Sequence, residues 1–342
     1  MKVLIIKTSS LGDIIHTFPV VDFIRHHFPE SQLDWIVEKP YSALLLSHPE
    51  INKVIEVDTK KWKNSFFSTQ TWKSVTMARQ TIQQQHYDIA FDLQGNIKSG
   101  VILSCVSANR KVGFDRKSVP EWPNTFFTSE KFNPPIGNNI REDYLSIVKE
   151  AFNVDAHYNP STVSLKVSSD AKEWVDDLFV LPKTNILLCP GSRWKNKRLP
   201  QATLKEYMNL MHRENSDVYF LLSWGSEEEL DTCKVLQQKF DNISVVLPKL
   251  ELPVLHYLMS RVQLVFAMDS LPLHLAGITK TPTLAVFGPS SAKKYAPIGE
   301  QHKSVKGQCP YGQSFEKRCP ILRTCPTGAC IQSISAEELV DC

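Results

Sequence analysis

Three features predict an α/β fold of two successive doubly wound units. Short apolar, β-branched runs alternate with helical patterns, the alternation lapses near residue 150 and restarts after 165, and the chain has 342 residues. At roughly 150 residues per domain that length suits two separate hydrophobic cores. Strands separated by helices pair in parallel, because the chain must cross back over the sheet between them. A composition of 42% hydrophobic and 22% charged residues excludes fibrous and disordered classes.

In chain order, residues 3–6, 35–37, 54–57 and 89–92 read as buried strands of the first unit. Residues 141–152 read as a helix. Pro134, Pro135, Gly137 and Pro160 mark the irregular stretch around it, and a hinge is expected at 155–168. Strands resume at 186–188, 218–222, 244–247, 264–268 and 283–287, and a short helix is expected near Ser335. The resulting division is 1–160, 161–330 with a cysteine-rich tail from 309, and 331–342 as a last helix returning to the first unit. Neither an internal repeat nor a low-complexity segment interrupts this pattern. Two such units facing one another direct the carboxyl edges of both sheets to a central cleft, the place where open α/β sheets bind ligands.

Thirty-nine Lys and Arg against thirty-six Asp and Glu leave +3, too small a bias for a dedicated nucleic-acid binder. The apolar start, Val3-Leu4-Ile5-Ile6, turns polar at Lys7, too short for a secretory h-region. Nothing approaches the roughly 18 apolar residues of a membrane span. The expectation is a monomeric cytoplasmic protein whose membrane contact is peripheral.

The first strand runs into Lys7-Thr8-Ser9-Ser10-Leu11-Gly12-Asp13, which opens a helix with Ile14, Ile15, Phe18 and Ile24 on its apolar face. Small hydroxyl residues and Gly12 let a ligand approach the backbone, and a helix start offers free N–H groups. The glycine spacing is that of neither a dinucleotide nor a Walker loop. Asp13 fits two roles: a first-turn acid stabilised by the helix dipole, or a general base for an acceptor hydroxyl. His16, one turn on, reads as a helix-face residue.

In the second half, Pro190-Gly191-Ser192-Arg193-Trp194-Lys195-Asn196-Lys197-Arg198 follows a buried strand. Four cations in six residues beside Gly and Ser suit a phosphate pair. Asp269-Ser270 joins a later strand to a helix start, either as a cap or as a diphosphate holder, with His274 one turn along. Gly288-Pro289-Ser290 adds a third turn on the same edge. Five of eight cysteines fall in the last 34 residues. The spacing Cys309-x9-Cys319-x5-Cys325-x4-Cys330 suits a structural zinc or two disulfides, without the paired C-x2-C knuckles of a strong zinc motif.

These motifs resemble the ADP-heptose:lipopolysaccharide heptosyltransferases, and within them the heptosyltransferase I group. The stretch Lys7 to Asp13 with His16-Thr17-Phe18-Pro19 looks like that family's opening motif almost residue for residue. The similarity continues through Asp34-Trp35-Ile36-Val37-Glu38, Lys60-Lys61-Trp62-Lys63, Asp92-Leu93-Gln94-Gly95, Lys98-Ser99, Trp224-Gly225, Val246-Leu247-Pro248-Lys249 and Asp269 to Ala276, about residues 1 to 300 in all.

The resemblance implies a glycosyltransferase-B fold. It implies inverting, metal-independent transfer of heptose from ADP-heptose to a Kdo residue of Kdo-lipid A, at the inner face of the inner membrane of a Gram-negative-type bacterium. By position, Asp13 matches the catalytic base, with Ser10 and Gly12 beside the acceptor. Lys197 matches the lysine on the donor phosphate, Glu229 the acid at the ribose, and Leu250 stands where a methionine lies against the adenine. Ser192, Asp269, Ser270 and His274 complete the donor set. Lys60, Lys61 and Lys63 stand where the family carries arginines for an anionic acceptor, and suit an anionic membrane surface. No cofactor is implied for catalysis. The sequence departs from the family at Leu271, where a glycine is usual, at Pro120, where an arginine is usual, and at Asn138, where a histidine is usual. Alternatives within reach are heptosyltransferase II, another nucleotide-sugar transferase, and a sugar-nucleotide-binding protein without turnover.

Overall fold

The computed structural model describes residues 1–65, 68–154, 162–179, 183–325 and 327–342, and leaves aside the side chain of Lys63. The chain divides into two compact units, Met1–Ser161 and Thr162–Cys342. Residues 155–161, half of the expected hinge, lie outside the described residues.

The first unit is a six-stranded sheet of β1 (Lys2–Ile6), β2 (Gln32–Glu38), β3 (Lys53–Val57), β4 (His86–Asp92), β5 (Ser107–Phe114) and β6 (Glu130–Phe132). Its order is β3-β2-β1-β4-β5-β6, every pair parallel. The second unit repeats the plan with β7 (Thr184–Cys189), β8 (Val218–Leu222), β9 (Ser244–Val246), β10 (Leu264–Met268), β11 (Thr283–Phe287) and β12 (His302–Lys306), in the order β12-β11-β10-β7-β8-β9. In each unit the first and fourth strands lie side by side and the chain winds outward in both directions from them. That reversal is the crevice where ligands of open α/β sheets bind.

The central strands are apolar on both faces because helices cover both. Val3, Leu4, Ile5 and Ile6 are fully buried, as are Leu187, Leu188, Val265, Phe266 and Ala267 or nearly so. Strands β5, β6 and β12 escape the sequence pattern because they lie towards or at sheet edges and carry charge. Arg110 of β5 forms a forked pair with Glu130 of β6, at 2.7 and 2.6 Å, in place of an apolar contact.

Two expectations need correction. The helix after β1 is two helices, Leu11–Ile15 and Phe18–His27, the second opening with Pro19 in its first turn. A proline there cannot donate to a preceding turn, so it starts a new helix more readily than it continues an old one. The last helix, Ala336–Val340, expected to return to the first unit, belongs to the second: Ala336 and Leu339 are buried in its core with Leu204, Tyr207 and Met208 of the Gln201–Glu214 helix. Its apolar face finds that partner within its own unit.

Candidate active site

At the switch point of the first unit, the loop leaving β1 is held by the loop leaving β4. Gln94 Oε1 accepts from Thr8 N (3.1 Å) and Ser9 N (3.0 Å). Gln94 is in turn placed by Asp92, the last residue of β4, which accepts from the Gln94 and Gly95 amides at 3.0 Å, from Ser99 Oγ at 2.8 Å and from Asn124 Nδ2 at 2.6 Å. Burial pushes the Asp92 carboxyl above the usual carboxylate range despite these donors. Asp13 sits half-buried at the third position of the Leu11–Ile15 helix, closing a capping box with Ser10. Its Oδ2 accepts from Ser10 Oγ at 2.7 Å and from Ser10 N at 3.2 Å, so the carboxylate is pinned by its own turn. Asp13 is thus a first-turn capping acid whose carboxylate stands at the carboxyl edge of the sheet.

Lys7 lies beneath this turn, only 3% exposed. Its Nζ donates to Leu93 O and Tyr144 Oη, each at 2.9 Å. Burial pushes its ammonium pKa down, while Asp13 and Asp92 pull it back up. A buried cation beside a candidate base favours the ionised carboxylate.

The basic cluster rides on the Thr59–Asn64 helix, where Lys60 and Lys61 are exposed. Asp58 caps this helix on Lys61 N. Glu38, 3% exposed at the end of β2, fastens it by accepting from Thr59 N at 3.1 Å and from the Thr59 hydroxyl, and pairs with Lys98 at 2.8 Å. The lysines are thus presented from a fixed base to solvent.

In the second unit the switch point carries a buried ionic cluster. Lys197 Nζ meets Asp269 Oδ2 at 2.5 Å, with side-chain exposures of 9% and 6%. The Ser290 hydroxyl donates to the same oxygen, and His274 Nε2 lies 3.6 Å from Oδ1. Burial raises the Asp269 carboxyl, but Lys197 and His274 outweigh it and hold it below the usual range. Ser192 is buried nearby in sequence, its carbonyl accepting from Arg198 Nε at 2.6 Å. Glu229, in the first turn of the Glu227–Lys239 helix, accepts from Gly225 N at 2.7 Å and lies across Gly191. A Cβ at Gly191 would stand 2.1 Å from Glu229 Cδ, so the close approach requires glycine.

The comparisons with known proteins fall on the same plan. Residues 75–324 match glycosyltransferase family 9 (heptosyltransferase). The chain belongs to that family. Lipopolysaccharide heptosyltransferase 1 of Campylobacter coli is 28% identical over 307 residues, 86% of each chain. The Pseudomonas aeruginosa protein of the same name is 26% identical over 324 residues, 95% of this chain and 89% of that one. Among solved structures, E. coli heptosyltransferase WaaC with ADP superposes with a TM-score of 0.81 at 21% identity, covering 100% of this chain and 98% of that one. E. coli ADP-heptose lps heptosyltransferase II gives 0.73 at 18% identity, covering 100% and 97%. The fold is therefore glycosyltransferase-B.

The second unit brings several of the expected donor residues together. Lys197, Asp269 and His274 converge, and Glu229 joins Gly191 beside Ser192. Leu250 is half-buried beyond β9, the edge strand. Ser270 N-caps the Leu271–Ala276 helix by backbone only: its hydroxyl donates back to Met268 O at 3.2 Å, so the expected diphosphate-holding hydroxyl is turned inward. The four-cation run also splits, with Lys197 turning in and Arg198 and Lys195 pairing with Glu228 at 2.9 and 3.2 Å. Sequence reasoning gave no role to Lys7, Glu38, Asp92 or Ser290. Their shared signal was a polar residue at or just past the carboxyl end of a strand, where a purely apolar run would otherwise close.

The four tail cysteines are free thiols lining one small cavity. Among the described residues no group of three or more His, Cys, Asp or Glu is placed to hold a metal ion. Cys325 is instead engaged by the Thr327 and Gly328 amides, which lower its thiol pKa, while burial raises that of Cys330.

Proposed function

We propose that this protein transfers L-glycero-D-manno-heptose from ADP-heptose to a Kdo residue of Kdo-lipid A, with inversion and without a metal. What carries the reading is the likeness to proteins named lipopolysaccharide heptosyltransferase 1 over 86–95% of the chain. Asp13 takes the proton of the acceptor hydroxyl as that oxygen attacks the anomeric carbon from the face opposite the leaving diphosphate. The carboxylate suits this role because its turn holds it rigidly and the Lys7 ammonium favours its charged form. The leaving group is ADP, whose developing negative charge calls for cations and N–H donors rather than a strong acid. Lys197, oriented by Asp269, supplies that charge with its remaining protons, and Glu229 receives the ribose hydroxyls. Lys60 and Lys61 meet the anionic sugar and the membrane surface, with Lys63 the expected third member. Among the described residues no helix is long and apolar enough to cross a membrane, and peripheral attachment through these lysines accords with that.

The test is product analysis after incubation of the purified protein with ADP-heptose and Kdo-lipid A, by mass spectrometry and anomeric NMR, with and without EDTA. Heptosylated product of inverted configuration, formed at the same rate under chelation, is expected. Absence of transfer to Kdo-lipid A, with transfer to an already heptosylated acceptor, would move the protein to the heptosyltransferase II reaction.

A further inference from the structure

The second unit contains a cavity of about 400 Å³ between the 193–198 segment and the cysteine-rich tail. Arg193, Lys195 and Arg198 line it from one side and Arg323 from the other; Lys197 is not among its lining residues. Among the described residues the only carboxylate bound to any of these cations is Glu228, which is shared by Lys195 and Arg198. Among the described residues Arg193 and Arg323 have no carboxylate partner. Arg323 lies 5.8 Å from the ring centre of Trp194, a contact that orients its guanidinium without neutralising it.

The walls are fixed to each other. Asn196 Nδ2 donates to Leu322 O across the base of the cavity. Gly328, at φ +58°, packs so that a Cβ would stand 3.0 Å from Asn196 Cα. Cations from segments about 130 residues apart are therefore held around one concavity, where their mutual repulsion is relieved only by an anion. Two permanently charged guanidiniums with planar donor forks match phosphate oxygens.

We infer that this cavity is a second phosphate-binding site, built by Arg193 and Arg323 for a phosphate monoester or diphosphate. On the functional reading above, two reactants carry that chemistry: the nucleotide-sugar donor and a phosphorylated glycolipid acceptor.

The experiment titrates the full-length protein with inorganic pyrophosphate by calorimetry, comparing wild type, Arg193→Gln/Arg323→Gln and the charge-keeping Arg193→Lys/Arg323→Lys. Both positions are exposed, and thermal melting checks that the fold survives. A loss of tenfold or more in pyrophosphate affinity in the glutamine pair, with most of it restored in the lysine pair, is the expected result; unchanged affinity overturns the site. ADP titration and acceptor KM then identify the source. A parallel fall in ADP affinity assigns the donor, and a KM raised for phosphorylated but not dephosphorylated acceptor assigns the glycolipid. If neither moves, the pyrophosphate is adventitious and the inference fails. Failure of wild-type heptosyl transfer would refute the functional reading while leaving the pyrophosphate titration interpretable.

Discussion

Replacing Lys197 by Met removes the cation from a carboxylate that has almost no water to turn to. At 2.5 Å the pair's gross attraction is roughly 7 kcal/mol at an effective dielectric constant of about 20, much of which dehydration of the two charges cancels. The cost of breaking the pair is set instead by what is left behind. Asp269 keeps the Ser290 hydroxyl and His274 but loses its one full positive charge, and an orphaned buried ion of this kind costs about 3–5 kcal/mol. Lys197→Met/Asp269→Asn carries no stranded charge and should recover roughly half of that loss. Urea unfolding followed by fluorescence of Trp194 and Trp224, both in the second unit, reads these differences as shifts in midpoint. The acid limb gives an independent check. Because the folded-state pKa of Asp269 is depressed, its stabilisation is present above the ordinary carboxylate value near 3.8 and lost as pH falls through the depressed one. Lys197→Met abolishes the depression and so moves the onset of acid unfolding to higher pH. A single variant within about 1 kcal/mol of wild type, or two substitutions whose costs simply add, would show that the pair is solvated and refute the argument.

Asp13→Asn keeps the capping oxygen and should leave the melting temperature nearly unchanged while lowering kcat at least 100-fold with little effect on ADP affinity, as steady-state kinetics and calorimetry will show; near-normal turnover removes Asp13 as the base. Gly191→Ala drives the Glu229 carboxylate off Gly225 N, and is expected to cost only about 1 kcal/mol of stability but roughly tenfold in ADP affinity. His256, whose pKa burial lowers to about 4, stays neutral in the folded protein, so the unfolded chain binds the extra proton and stability falls as pH drops from about 6.5 to 4. That loss amounts to about 3 kcal/mol at full effect, and a His256→Phe variant should flatten this limb of a denaturation series run against pH.

Much of this was readable before any coordinates. The central strands announce themselves because helices cover both faces, so Val3 to Ile6 and Leu264 to Met268 are continuous apolar runs. The charged strands do not: β12, an edge strand with one neighbour, reads His302-Lys303-Ser304-Val305-Lys306 and has no hydrophobic period to detect. Asp13 was legible from its place after a strand and before a helix. The Lys197–Asp269 pair was not, since the partners are 72 residues apart and meet only when β7 and β10 lie side by side. Nor does the cysteine spacing of the tail encode that the fold presents one thiol to backbone amides and buries another.

The two units solve one problem with the same device. In each, an aspartate at the end of the fourth strand is buried at the reversal of strand order and holds the loop that leaves the first strand: Asp92 through Gln94 to Thr8 and Ser9, Asp269 directly through Lys197. The means differ with the work proposed for each loop. Asp92 acts through amide and hydroxyl donors, so the Asp13 turn is fixed by short-range hydrogen bonds that salt screens little. Asp269 acts through a charge, and it uses one of the three protons on Lys197 Nζ while aiming the others. On the proposed function, a diphosphate arriving there meets a lysine whose direction has already been set and whose charge is shared, so binding gains less raw attraction and loses less side-chain entropy than it would at a free lysine. For the proposed reaction, in which ADP leaves after each transfer, that balance serves better than an unpaired cation.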